Sequence, residues 1–178
     1  MIEIIIAIAA VVIILTLIII IYSNKFHFAI IKIDEAESNL DILLLRKLDL
    51  LERTVPIIKK ELKLEDFLSD LSTIEGASLN HFQLNELLKS EYNTLFKTLD
   101  ENEKLFKSEA LNRILRDLND NEEAIIGSIK FYNDNVVIFN QLVSSFPAKI
   151  VALLRHYKRK EFYSDEDKEM YEILSEEI

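Results

Sequence analysis

The chain offers three histidines, His27, His81 and His156, and they are far apart in sequence. A metal site on a helix places its ligands about one turn apart, as in His-Glu-x-x-His or Glu-x-x-His. Neither spacing occurs, and there is no cysteine, which also removes thiolate metal sites and disulfides. The two glycines, Gly76 and Gly127, cannot build a phosphate-cradling loop, and no Gly-x-Ser-x-Gly is present. Acid pairs such as Glu122-Glu123 have the residue type for general acid/base work. With 31 acids in the chain, solvated helix faces are the plainer account of them. The sequence therefore nominates no catalytic, cofactor-binding or metal-binding residue, and it predicts that the protein is not an enzyme.

The same scarcity of glycine and proline bounds the fold. Only Pro56 and Pro147 join the two glycines as punctuation, whereas a many-stranded fold needs turn residues every 8–12 positions. Long helices need few breaks, so the chain is expected to be all-α. The formal net charge is −10, and beyond residue 24 there are 30 acids against 21 bases. Nucleic-acid binding rests on neutralising phosphates with Lys and Arg. The acidic excess therefore predicts no nucleic-acid partner.

"IIIAIAAVVIILTLIIII", Ile4 to Ile21, is 18 residues with Thr16 as the single polar member. As a helix it covers about 27 Å, close to the hydrocarbon thickness of a bilayer. A cleaved signal peptide would carry a basic n-region and a small-residue cleavage site. No Lys or Arg precedes this run, and "IYSNKFHF" follows it. The run is read as an uncleaved single-pass anchor, with residues 2–22 meeting the bilayer. Lys25 and Lys32 follow it, so the positive-inside rule places the N-terminus outside and the helical domain in the cytoplasm of a cell-membrane protein.

Beyond the anchor the apolar residues fall into helical stripes. Leu40, Leu44, Leu48, Leu51, Val55, Ile58 and Leu62 step by 4 and 3, and Leu43, Leu45 and Leu50 widen the face. Pro56 predicts a kink or short break within that stripe. "SDLSTIEGASLN", Ser69 to Asn80, reads as the first connection, with Gly76 suited to close a helix. A second helix from about Phe82 to Leu99 carries Leu84, Leu88, Tyr92, Leu95 and Leu99, and Ser108 is placed to cap the next. That third helix has a heptad stripe: Leu111, Leu115, Leu118, Glu122, Ile125, Ile129, Tyr132, Val136, Phe139, Val143. Glu122 on the stripe has three readings: partner to a Lys or Arg on another helix, a point where the stripe meets solvent, or a first-turn residue of a helix restarting after Asn119 and Asn121. The last is favoured because a carboxylate suits a helix N-terminus. Pro147 is expected to open a short fourth helix over "AKIVALL". The predicted architecture is a transmembrane helix followed by an elongated antiparallel bundle of three long helices plus a short fourth. The boundaries are an anchor at 1–22, a helical bundle at 23–160 and an acidic tail at 161–178, expected in solvent or on a partner.

Within "FYNDNVVIFNQLVSSFP" an aromatic-Asn pair recurs after seven residues, at Tyr132-Asn133 and Phe139-Asn140, and Phe146-Pro147 follows seven later. Seven residues are two helical turns, so the three aromatics are expected on one seam. Asn133 and Asn140 fall at its edge, where an amide is expected to bond an adjacent helix and fix its register. This pattern resembles the LemA family of membrane-anchored helical proteins, whose signature is Tyr-Asn, a second Tyr-Asn seven later, then Phe-Pro. "LDILLLRKLDLLERTVPIIKKEL", "NDNEEAI" and the "FYSDEDKE" tail also resemble family segments. Phe139 stands where the family has its second Tyr. The resemblance implies an anchored up-and-down helical domain and brings no catalytic residue with it.

"RHYKRK", Arg155 to Lys160, follows the apolar "IVALL". The ordinary reading is a helix end, whose C-terminus favours cations. The alternative is a membrane-surface element in which Ile150, Val151, Leu153 and Leu154 dip in and the bases meet anionic headgroups. It requires this segment to lie at the membrane end of the domain. The function expected is a non-enzymatic adaptor or scaffold for another membrane protein or for itself. The rival is a self-associating membrane-surface protein that binds anionic lipid through residues 147–160.

Overall fold

A computed structural model describes residues 1–74, 79–163, 171, 173 and 174. Among these residues all regular structure is helical. The α-helices are α1 (Ile2–Leu62), α2 (Leu71–Ile74), α3 (His81–Glu101), α4 (Glu109–Ser144) and α5 (Ala148–Arg155), with a 3-10 turn at Glu103–Lys107. The all-α expectation holds. Gly76, nominated as a helix terminator, lies outside the described residues.

α1 is a single helix of 61 residues. It carries the apolar run and the leucine stripe without a break, because nothing between Ile2 and Leu62 other than Pro56 disfavours helix. Pro56 is exposed, and the helix continues past it to Leu62. The first connection therefore starts at Lys63, earlier than the Ser69 read from the sequence. Lys63 has φ 53°, and the Leu64 N–H donates to the Lys59 carbonyl at 3.2 Å, a left-handed closure made without glycine. A left-handed non-glycine residue costs about 1–2 kcal/mol. Lys63→Gly is accordingly expected to raise stability by about 1 kcal/mol in urea denaturation, since glycine adopts this conformation freely.

Asn80 caps α3 in a capping box with Gln83. The Ser108 hydroxyl caps α4, accepting from the Leu111 N–H at 3.3 Å, as its sequence position suggests. α4 is continuous through Asn119–Glu122, so the helix restart favoured for Glu122 does not occur. Asn costs a helix only about half a kcal/mol, and packed neighbours on either side outweigh that. Pro147 is the N-cap of α5, and Ala148 is the first helical residue.

The chain divides into two compact units. One joins Met1–Ala36 with Lys130–Ile178, and the other is Glu37–Ile129. α1 and α4 contribute to both.

In the 37–129 unit, Leu40, Leu44, Leu51 and Ile58 of α1 are fully buried with Leu88, Leu95 and Leu99 of α3 and Leu111 and Leu118 of α4. Leu45, expected to widen the buried face, is instead exposed. The α1 and α4 segments run antiparallel here. The Asn39 amide donates to the Ser128 hydroxyl at 2.6 Å, and the Asn121 amide donates to the Leu43 carbonyl at 3.0 Å. These bonds explain why Asn121 and Ser128 are buried while Glu122 and Ile129, on the predicted seam, are only half-buried. A search for apolar steps passes over polar residues that bond across the helix pair.

In the other unit, Phe26, Ala29, Ile33 and Ala36 form the buried face of α1, stepping 3, 4, 3. The two alanines weaken that stripe in the sequence. Phe146 does not join the seam of Tyr132 and Phe139. α4 ends at Ser144, and Phe146 is 84% exposed.

Candidate functional site

The repeat of aromatic-Asn pairs builds a clamp on non-helical backbone. Asn140 is 1% exposed, and its side chain makes two bonds to one residue. Its amide donates to the Lys160 carbonyl at 3.0 Å, and its oxygen accepts from the Lys160 N–H at 2.8 Å. Asn133 accepts from the Tyr163 N–H at 2.8 Å, and the Tyr132 hydroxyl donates to the Glu161 carbonyl at 3.1 Å. The amides thus hold residues 160–163, a non-helical segment, and not the adjacent helix the sequence suggested. Spacing explains the match. Seven helical residues rise about 10.5 Å, and three extended residues span about 10 Å. The helical positions 133 and 140 therefore meet positions 163 and 160 of a non-helical segment running the other way. Residues 161–163, read as the start of the tail, are held on α4 by these bonds.

Aromatic packing fixes the near end of this segment. The Phe26 ring lies 5.6 Å from Phe139 and 5.0 Å from Tyr157, and Tyr132 packs edge-on against Tyr163 at 5.5 Å. α5 turns off α4 by 94°. It ends at His156, whose left-handed backbone (φ 56°) lets the Tyr157 N–H reach the Ala152 carbonyl at 2.9 Å. His156 thus terminates a helix, a role its residue type tolerates. His27 is exposed in this unit, and His81 lies in the other, 4.0 Å from Asp41. Among the described residues no group of three His, Asp or Glu converges.

The apolar run occupies the first third of α1. Its most apolar 18-residue window has mean hydropathy 3.7 and none of it is buried, so this helix is long and apolar enough to cross a membrane. Phe26 lies five residues beyond Ile21, about 7.5 Å along the axis. Tyr157 rests on Phe26, which places the basic segment 155–160 within a turn or two of the end of the run. α5 buries Ala148, Val151 and Ala152 and leaves Ile150, Leu153 and Leu154 exposed, the last two at 68% and 63%. Arg155, Lys158 and Arg159 are exposed beside them.

The 37–129 unit holds a buried polar group of its own. The Lys47 ammonium is 2.6 Å from the Glu122 carboxylate and 4.8 Å over the Tyr92 ring. Tyr92 in turn donates its hydroxyl to Asn119 at 3.2 Å. Burial, and then the Glu122 charge, push the Tyr92 hydroxyl pKa up. Lys47, at 1% exposure, drew no notice in the sequence, where it stands as one base on a leucine-rich helix. Its signal was its place three residues after Leu44 and four before Leu51, on the buried face of α1.

Glu91 of α3 is also buried. Burial first, and then the Asp70 charge, raise its pKa above 4.5. A carboxyl raised by folding binds its proton more tightly in the folded chain than in the unfolded one. Stability therefore falls as pH rises through the window between the unfolded value and the raised folded one. Glu91→Gln is expected to raise the thermal midpoint at neutral pH and to leave it unchanged below pH 4.5. Parallel melts of the two chains across that range check this.

The LemA family model matches residues 36–173 of the chain. No curated protein and no solved structure matches it.

Proposed function

The chain belongs to the LemA family, and from that premise we propose that it is a non-enzymatic, single-pass membrane protein whose helical domain is an adaptor or scaffold for another membrane protein or for itself. The observation that carries this reading is the continuity of α1, which takes a bare apolar run directly into packed helix. Lys25 and Lys32, the first bases after the run, support an orientation with the domain in the cytoplasm and the N-terminus outside. Affinity isolation of the tagged chain from its gently solubilised membrane is expected to bring down a stoichiometric membrane-protein partner or further copies of itself. Recovery of a lone monomer, or a turnover by the pure protein that one point substitution abolishes, would reject it.

A second reading has its own support. Exposed Ile150, Leu153 and Leu154, with Arg155, Lys158 and Arg159 beside them, lie close to the end of the apolar run. That favours a self-associating membrane-surface protein that binds anionic lipid through residues 147–160. Residues 23–178 are then expected to float with anionic vesicles. Each base near the surface contributes about 1 kcal/mol. Serine at positions 155, 158 and 159 is therefore expected to weaken flotation roughly a hundredfold. Unaltered flotation of that variant speaks against the reading.

A further inference from the structure

A groove of ≈ 680 Å³ opens between α1 and the C-terminal part of α4, within the unit that contains the apolar run. Phe28, Ile138, Leu142 and Phe146 form its apolar wall, with Tyr22 and Lys25 at the edge that continues into the run. Phe28 is 63% exposed, Ile138 50% and Phe146 84%, so a large apolar surface stands open. Its volume falls in the range of small-molecule sites. The Lys25 ammonium is held 5.1 Å over the Tyr22 ring.

We infer that this groove binds one anionic phospholipid, with an acyl chain on Phe28, Ile138, Leu142 and Phe146 and the phosphate at Lys25. The inference rests on α1 crossing the bilayer as proposed above. Two observations select this occupant. The groove continues the apolar surface of the span, and Tyr22 begins it one residue beyond Ile21, so bilayer lipids meet its mouth without a diffusional search. Lys25 lies four residues, about 6 Å, past the span, at the depth of the headgroup layer. An ammonium there pairs with a phosphate oxygen, and an aromatic such as Tyr22 belongs at the same interface. One chain of the lipid turns into the groove and covers surface that water would otherwise meet, while the other stays in the bilayer.

The test uses the full chain, extracted in mild detergent and examined by native mass spectrometry with phosphatidylglycerol as the probe. A parallel alkaline wash of the membranes reports whether the chain is embedded. The expected result is an embedded chain with a stoichiometric phosphatidylglycerol adduct that survives detergent exchange. Occupancy should drop about tenfold in Lys25→Glu, which loses the charge-assisted contact. It should drop similarly in Ile138→Trp, which fills the groove from an exposed position, with helicity by circular dichroism unchanged. An embedded chain with no adduct, or with equal adduct in both variants, overturns the groove alone. So does a crosslink between a cysteine at position 28 or 138 and a second protein chain. Release by alkali overturns the membrane reading and the groove with it.

Discussion

Glu122→Leu is expected to destabilise the chain by about 3–5 kcal/mol, the cost of leaving a buried charge without its partner. Lys47 is the charge left behind, at 1% exposure, and Glu122 is its carboxylate at 2.6 Å. The Tyr92 ring 4.8 Å from the ammonium is untouched by this substitution and supplies no compensating charge. The reverse change is expected to be milder. Lys47→Met leaves Glu122, whose side chain is 25% exposed and can take up water, so about 1–2 kcal/mol is expected. Combining the two should recover most of the loss, because apolar replacement of a whole buried pair is often neutral or stabilising. Urea denaturation of the four chains in micelles, followed by helical ellipticity, measures the cycle. If the two single variants are equal and additive, Lys47 and Glu122 do not act as a pair.

Asn140→Ala should release the segment that follows α5. The substitution deletes both side-chain bonds to Lys160 and leaves a backbone N–H and carbonyl at the protein surface of α4. Unmade bonds of this kind cost about 1–3 kcal/mol each, and the half-buried position of Lys160 lets water recover part of that. A net local loss of about 2 kcal/mol multiplies the open population roughly thirtyfold, and proteolysis follows that population when closing is fast. Limited trypsin digestion at Lys158, Arg159 and Lys160 should accelerate by the same factor. Asn133→Ala, which removes one bond, to the Tyr163 N–H, should accelerate it less. Asn140→Asp tests the donor separately: the carboxylate still accepts from the Lys160 N–H but faces the Lys160 carbonyl with no proton to give. It should cleave nearly as fast as the alanine variant. Equal rates in all four chains would mean that the clamp does not hold the segment.

Much of this protein is legible from residue order because helix is a local structure. Apolar steps of 3 and 4 reveal α1, α3 and α4 wherever Leu and Ile supply them. Ser108 can be read as a cap because its bond reaches only three residues on, to Leu111. The unbroken apolar run from Ile4 to Ile21 states its own length against a bilayer. The aromatic-Asn repeat leads to the LemA family because it is a pattern of types and spacing.

Partners are another matter. Lys47 and Glu122, Asn121 and the Leu43 carbonyl, and Asn140 and residue 160 are brought together from distant positions by the antiparallel return of the chain. A seven-residue repeat fits a helix seam and an extended-chain clamp equally well, since 10.5 Å of helix and about 10 Å of strand are nearly the same length. Which of the two it serves depends on where the chain goes after Arg155. The same holds for Glu122: its residue type suits a helix start, a solvent edge or an ion pair, and the packing of α1 against α4 selects the ion pair. Local periodicity specifies which faces turn inward. The fold specifies what each face meets, because that choice minimises unpaired polar groups across the whole packed unit.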